Sequence, residues 1–272
     1  MTSLASWIGI DSRGPSSIYI VSDSRISWGD NAIWNSGRKV FASRTTPEIF
    51  GYCGDVLFPS MFLGQIVDAI SAGQFCDIVD PHARAEKLLR YAQCGREGFP
   101  AISKQDSFSI LYCSRNGMGM DALFRAFLIS YSSRDDSWSL DEQEIPKKSG
   151  KIIVLGTGSR AVNDWDQRWR SSSQGGTSRA FFSAFCDSLA SGSDSRTGGA
   201  PQLVGIRRAL PAEHYGVIWD GDRYLLGLRI TDEETCHVVT EWRNALFERC
   251  DFYTMAAMAS AQRHARPREV SS

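Results

Sequence analysis

The order in which the hydrophobic period changes along the 272 residues constrains the fold more than any other feature of the sequence. Two blocks have a helical period, and each stands between stretches that alternate or form short apolar runs. In the first block Phe58, Phe62, Leu63, Ile66 and Ile70 recur three or four residues apart after Asp55, a residue suited to cap a helix. Pro59 fits such a helix only in its first turn. A second helix is expected from Pro81 to about Gln93, with proline early and Ala85, Leu88, Leu89 and Ala92 on its apolar face. The other block covers residues 160–171 and 178–190, and its second half carries Phe181, Phe182, Phe185, Leu189 and Ala190.

Strand patterns fill the rest. Residues 2–11 alternate, Gly14-Pro15 marks a turn, and Ser17 to Ser22 reads as the returning strand of a hairpin. A loop rich in Gly, Asn and Trp leads to a short strand at Arg38–Ala42, and Pro47-Glu48 turns the chain into Ile49–Cys53. Further strands are expected at 108–112, 126–131, 151–155, 202–208, 214–219, 223–230 and 236–242, with a polar hairpin tip at 133–137. From Met255 onward the pattern predicts a short helix and a polar tail. Short links between neighbouring strands require antiparallel pairing, and paired helices after strands form a layer on a sheet. The expectation is an α+β fold, a four-layer αββα sandwich of two antiparallel sheets between helix pairs, over residues 2–230. Residues 231–272 then form a C-terminal extension with a terminal strand, a helix and a tail.

Composition removes several classes of function. Thirty basic residues against 31 acidic give a net charge of -1, so no electrostatic footprint for nucleic acid or an anionic membrane is present. No apolar run approaches the roughly 18 residues of a membrane span. The seven cysteines include no Cys-x-x-Cys pair, and the four histidines do not fall at metal-ligand spacing with them, which argues against zinc. Without the basic stretch of a signal peptide at the N-terminus, reduced thiols and a cytoplasmic location are expected. Gly156-x-Gly158-x-x-Ala161 fits a dinucleotide fingerprint, but the acidic partner about 20 residues on is missing, since Arg179-Ala180-Phe181 stands there.

Chemistry enters at Thr2. Removal of Met1 beside this small residue would leave Thr2 with a free α-amine close to its own hydroxyl, a base and a nucleophile in one residue. Asp23 follows the second strand directly, and Lys39 stands 16 residues later in Arg38-Lys39-Val40. Gly51-Tyr52-Cys53-Gly54-Asp55 leads into the first helix, Gly156-Thr157-Gly158-Ser159 follows a buried strand, and Asp194-Ser195-Arg196-Thr197-Gly198-Gly199 forms a loop.

This ordered set resembles the β-subunit family of the proteasome, with its HslV and ancestral β-subunit relatives, all N-terminal-nucleophile hydrolases. The resemblance runs from Thr2 to about Ile230. It implies Thr2 as nucleophile, Lys39 as the cation beside it, Asp23 as the partner of Lys39, and the Gly54 N–H as oxyanion donor. Thr157, Asp194 and Thr197 would orient the amine. Ile26 and the Gly51–Asp55 turn would wall the substrate pocket. The implied activity is that of a threonine endopeptidase without metal or cofactor, acting on peptide or unfolded protein. A homo-oligomer in rings or helical stacks is also implied, with an ATP-dependent unfoldase as partner. An inactive assembly or regulatory subunit and a small-molecule amidase are the alternatives. The sequence departs from the family pattern in a longer first hairpin around Ser12–Ser17, in Thr157 and Thr197 where serines are usual, in an enlarged segment between the helix pairs, and in residues 231–272.

Overall fold

A computed structural model describes residues 2–28, 32–100, 107–231 and 241–267. The chain opens with the hairpin of β1 (Leu4–Asp11) and β2 (Gly14–Ser22), paired from Leu4 opposite Ser22 to Asp11 opposite Gly14, with one register shift at Gly9/Ile10. The stretch read as a Trp-rich loop instead forms a small hairpin, β3 (Ile26–Trp28) with β4 (Ala32–Trp34). Two short β-branched and aromatic runs are enough for this pairing. Next come β5 (Val40–Ala42), β6 (Glu48–Gly54), α1 (Leu57–Ser71) and α2 (Pro81–Glu97), then β7 (Phe108–Asn116), β8 (Leu123–Ser132) and β9 (Ser137–Gln143). Strands β5 to β9 form a five-stranded sheet in chain order.

The second half adds β10 (Gly150–Leu155), α3 (Ser159–Arg170), α4 (Ser178–Ala190), β11 (Gln202–Arg207), β12 (Glu213–Trp219), β13 (Asp222–Leu225) and β14 (Leu228–Ile230). The larger sheet runs β10-β1-β2-β11-β12-β13-β14. Two short strands, β15 (Trp242–Arg243) and β16 (Arg249–Cys250), extend it, and β15 lies parallel to β12. That parallel pair joins the C-terminal extension to the sheet; among the described residues of 2–230 the named strands pair antiparallel, as expected.

Strand alternation decides which side chains meet. In β1 and β2 the residues Leu4, Ile8, Ile18 and Ile20 point one way and Ala5, Trp7, Tyr19 and Val21 the other, as the two-residue period requires. The first set joins Val40, Ile49, Leu111 and Ala126 of the smaller sheet in one apolar cluster between the sheets. The second packs with Phe181, Phe182 and Phe185 of α4, and Trp7 stacks on Tyr19 at 4.9 Å. Helices α1 and α2 place Phe58, Phe62, Ile66 and Leu88 against Phe50, Tyr52, Tyr112 and Phe127 of the smaller sheet. Gly51 permits the close approach of the sheets, because a Cβ there would press on Leu4 and Ile20.

Side-chain oxygens cap two of the helices. Asp80 accepts from Ala83 N at 2.9 Å ahead of Pro81, and Thr177 accepts from Ala180 N at 3.2 Å. Asp55 lies one residue before the cap of α1, yet its Oδ1 accepts from Val56 N at 2.7 Å and Leu57 N at 3.3 Å.

Other boundaries differ. The expected strand at 223–230 is broken by a turn at Leu226-Gly227, both with positive φ. The strand expected at 236–242 lies outside the described residues up to 240. The helix expected after Met255 is absent among the described residues. Asp251 Oδ1 takes the N–H of Thr254, and Met255 has a φ of 56°, so the chain turns where a helix would start. No helix among the described residues is long and apolar enough to cross a membrane.

Candidate active site

Pairing of β1 with β2 sets Thr2 and Ser3 beside the end of β2. Asp23 N donates to Ser3 O at 3.1 Å, and Ser3 N donates back to Asp23 Oδ1 at 3.0 Å. Lys39 arrives from the segment just before β5, and its Nζ donates to the same Oδ1 at 2.8 Å. Neither side chain is exposed to solvent. The other carboxylate oxygen, Oδ2, accepts from Arg25 N and Gly198 N, each at 3.1 Å. A buried ion pair is tolerated when its remaining valences are hydrogen-bonded, and three backbone amides do this for Asp23. Burial pushes Lys39 below the usual lysine range, while the charge and hydrogen bond of Asp23 oppose the shift.

A second set of residues encloses Thr2 from the side of β10. Gly156 has a φ of 88° and leaves no room for a Cβ, because the Thr2 carbonyl lies against it. Gly158 N donates to that carbonyl at 3.5 Å, and a Cβ on Gly158 would strike Ser3 Oγ. Thr157 Oγ1 donates to Asp194 Oδ2 at 2.7 Å, and the N–H and hydroxyl of Thr197 both donate to the Asp194 carbonyl. The turn after β10 and the loop after α4 are thus joined beside Thr2.

A cavity of about 360 Å³ adjoins this turn, lined by Cys53, Gly54, Ser107, Phe108, Ser109, Tyr131, Gly156 and Thr157. Gly54, with a φ of 98° and the Ser107 carbonyl pressed against it, shares the cavity with Gly156 and Thr157. Neither Ile26 nor Gly51 lines it. Ile26 packs over Gly37 instead, and the space at Gly51 belongs to Leu4 and Ile20. Burial pushes the Cys53 thiol up to about 11 despite nearby positive charge that includes Lys39, so this residue stays a protonated thiol near neutrality. A larger cavity, about 1310 Å³ between α3 and the tail, is lined by Trp165, Arg168, Asp187 and Arg266 and holds none of these residues.

Two residues of the site escape a reading of the sequence. Arg25 donates through Nε to Asn35 and through a terminal nitrogen to the Ser195 carbonyl, and so pins the 194–199 loop to the β3–β4 hairpin. Gln202 lies fully buried against Asp23, Ser24, Gly37 and Lys39. The available signal was a polar side chain opening an apolar strand, Gln202-Leu203-Val204.

Neither a family model nor a curated protein matches the sequence. Solved structures do match the fold. The ancestral β-subunit from Yersinia bercovieri superposes with a TM-score of 0.52 at 11% identity, covering 85% of this chain and 88% of that one. The chain shares the ancestral β-subunit fold. Eukaryotic HslV from Trypanosoma brucei gives 0.48 at 9% identity over 75% of this chain and 99% of its own. The helical assembly of the Anbu complex from Pseudomonas aeruginosa gives 0.49 at 14% identity over 85% and 88%. Within the ancestral β-subunit fold, the Lys39–Asp23 pair and the Gly156–Gly158 turn stand on opposite sides of the Thr2–Ser3 backbone.

Proposed function

We propose that the protein is a threonine endopeptidase of the proteasome β-subunit kind, built as a four-layer αββα sandwich and working through Thr2 once Met1 is removed. The observation that carries this reading is the fully buried Lys39–Asp23 pair, whose shared Oδ1 also holds the amide next to Thr2. An ammonium buried at this point costs several kcal/mol unless it is paired, and Asp23 supplies the pairing.

In this mechanism Thr2 Oγ attacks the peptide carbonyl while the α-amine takes its proton. An N-terminal amine has a reference pKa of about 7.7–8.0, close enough to neutrality to accept that proton and then deliver it to the leaving amine. Lys39 lowers the amine pKa further by repulsion and stabilises negative charge on Oγ. The Gly54 N–H faces the oxyanion, a type of donor worth about 10²–10³ in rate. Asp194, Thr157 and Thr197 orient the amine. Water then hydrolyses the ester on Thr2 and regenerates the free hydroxyl.

Substrates would be peptides or unfolded proteins, fed to a cytoplasmic homo-oligomer by an ATP-dependent unfoldase. The exposed Trp28, Ile33 and Trp34 of the β3–β4 hairpin support contact between subunits, since apolar groups clustered on one small element mark an interaction surface.

A β-lactone or epoxyketone, with the adduct mapped by mass spectrometry, tests the proposal. One adduct on an N-terminal Thr2 is expected. Modification elsewhere, or a retained Met1 with no adduct, overturns it.

A further inference from the structure

Gln202 opens β11 with no exposed surface, and its amide group is in contact with four residues from two other segments. Oε1 accepts from Lys39 N at 3.0 Å. Nε2 lies 2.7 Å from Gly37 O, 3.0 Å from Ser24 Oγ and 3.1 Å from Asp23 O. The orientation of the amide is forced, because Lys39 N can only donate while the carbonyls of Gly37 and Asp23 can only accept.

The bonds matter because of where they fall. Residues 35–39 lie outside any strand, so Lys39 N and Gly37 O have no ladder partner. Buried backbone groups without partners are costly, and Gln202 supplies both. The turn between β13 and β14 closes over the same point, where a Cβ on Gly227 would stand 3.0 Å from Ser24 Oγ and 3.2 Å from Gln202 Nε2. One side chain therefore ties the backbone that presents Lys39 to the backbone that presents Asp23.

We propose that Gln202 is a positioning residue for Lys39: by holding the Lys39 amide and the Asp23 carbonyl at once, it fixes the ammonium against Asp23 at the end of β2. Its consequence for catalysis rests on the function proposed above. The geometric role does not.

The decisive variant is Gln202→Met, which keeps volume and removes every hydrogen bond. Ser6→Ala is the control, because Ser6 is equally buried and its hydroxyl, among the described residues, bonds to Tyr19 O and Cys113, away from Lys39. Protein labelled at lysine Cε is titrated by NMR. The chain has six lysines, so the Lys39 signal can be assigned by its loss in Lys39→Met. In Gln202→Met the titration midpoint of Lys39 is expected to move by about one pH unit or more, and in Ser6→Ala to stay in place.

In parallel, kcat is expected to fall about 100-fold with KM within about twofold, the loss that a misplaced catalytic group produces. A folded Gln202→Met with an unmoved Lys39 signal overturns the proposal, whether or not activity falls. Absence of wild-type acylation together with a moved Lys39 signal overturns the peptidase reading and leaves the positioning role supported. Should Gln202→Met not fold, Gln202→Asn, too short to span the two segments, is read in the same way.

Discussion

Thr157 and Asp194 are joined by a hydroxyl-to-carboxylate hydrogen bond of 2.7 Å, and this bond links the turn after β10 to the loop after α4. The methyl that threonine adds over serine does not prevent it. Thr157→Val removes the donor while keeping the shape. Because both residues are reached by solvent, the effect on stability is expected to stay within about 0.5 kcal/mol. Acylation of Thr2 is expected to slow about tenfold, read from the rate of adduct formation.

Asp23 and Lys39 are expected to respond unequally to substitution. Asp23→Asn leaves a buried ammonium with a neutral partner, and removal of one member of a buried pair costs about 3–5 kcal/mol. Lys39→Met leaves Asp23 with its three amide donors, so denaturant unfolding should show a smaller loss. Both variants should lose acylation. A larger stability loss in Lys39→Met than in Asp23→Asn would contradict this account of the pair.

Gly156→Ala tests the fit of the turn around the Thr2 carbonyl. At a φ of 88° an alanine is strained, and its Cβ would meet that carbonyl. A loss of about 1–3 kcal/mol is expected from backbone strain. Adduct formation should fall with it, whereas alanine at Gly64, which meets open space inside α1, should leave adduct formation unchanged and raise stability by about 0.5–1 kcal/mol.

His214 sets an acid limit on stability. Burial, followed by the charges of Arg38 and Arg44, pushes its imidazole down to about 4, below the reference of about 6.5 for the unfolded chain. Between these values the unfolded state binds the extra proton. Stability is therefore fully present above pH 6.5 and declines as pH falls toward 4, by roughly 3 kcal/mol at most. His214→Asn should flatten the pH dependence of the urea midpoint across that window. An unchanged slope would exclude His214 as its source.

Local physics made much of this molecule legible in advance. The period of Phe58, Phe62, Ile66 and Ile70, the early Pro81 of α2, and the alternation in β1 and β2 depend on neighbours a few residues away, and the helices and the first hairpin lie where these signals place them. Where a local signal competed with a distant one it misled: β9 was hidden by its polar exposed pattern, and the helix expected after Met255 gave way to a turn on Asp251.

The sequence by itself determined the α+β order of elements, and its resemblance to the proteasome β-subunit family brought Asp23 and Lys39 forward as a pair. Tertiary structure alone decided that Lys39 meets Asp23 on the oxygen that also holds Ser3, that Gln202 braces both from more than 160 residues away, and that Gly54 shares a cavity with Gly156. These contacts arise from the register of β2 with β11 and the stacking of one sheet on the other. Periodicity reports which face of a strand is buried, but the partner that face meets is fixed only when distant strands pair.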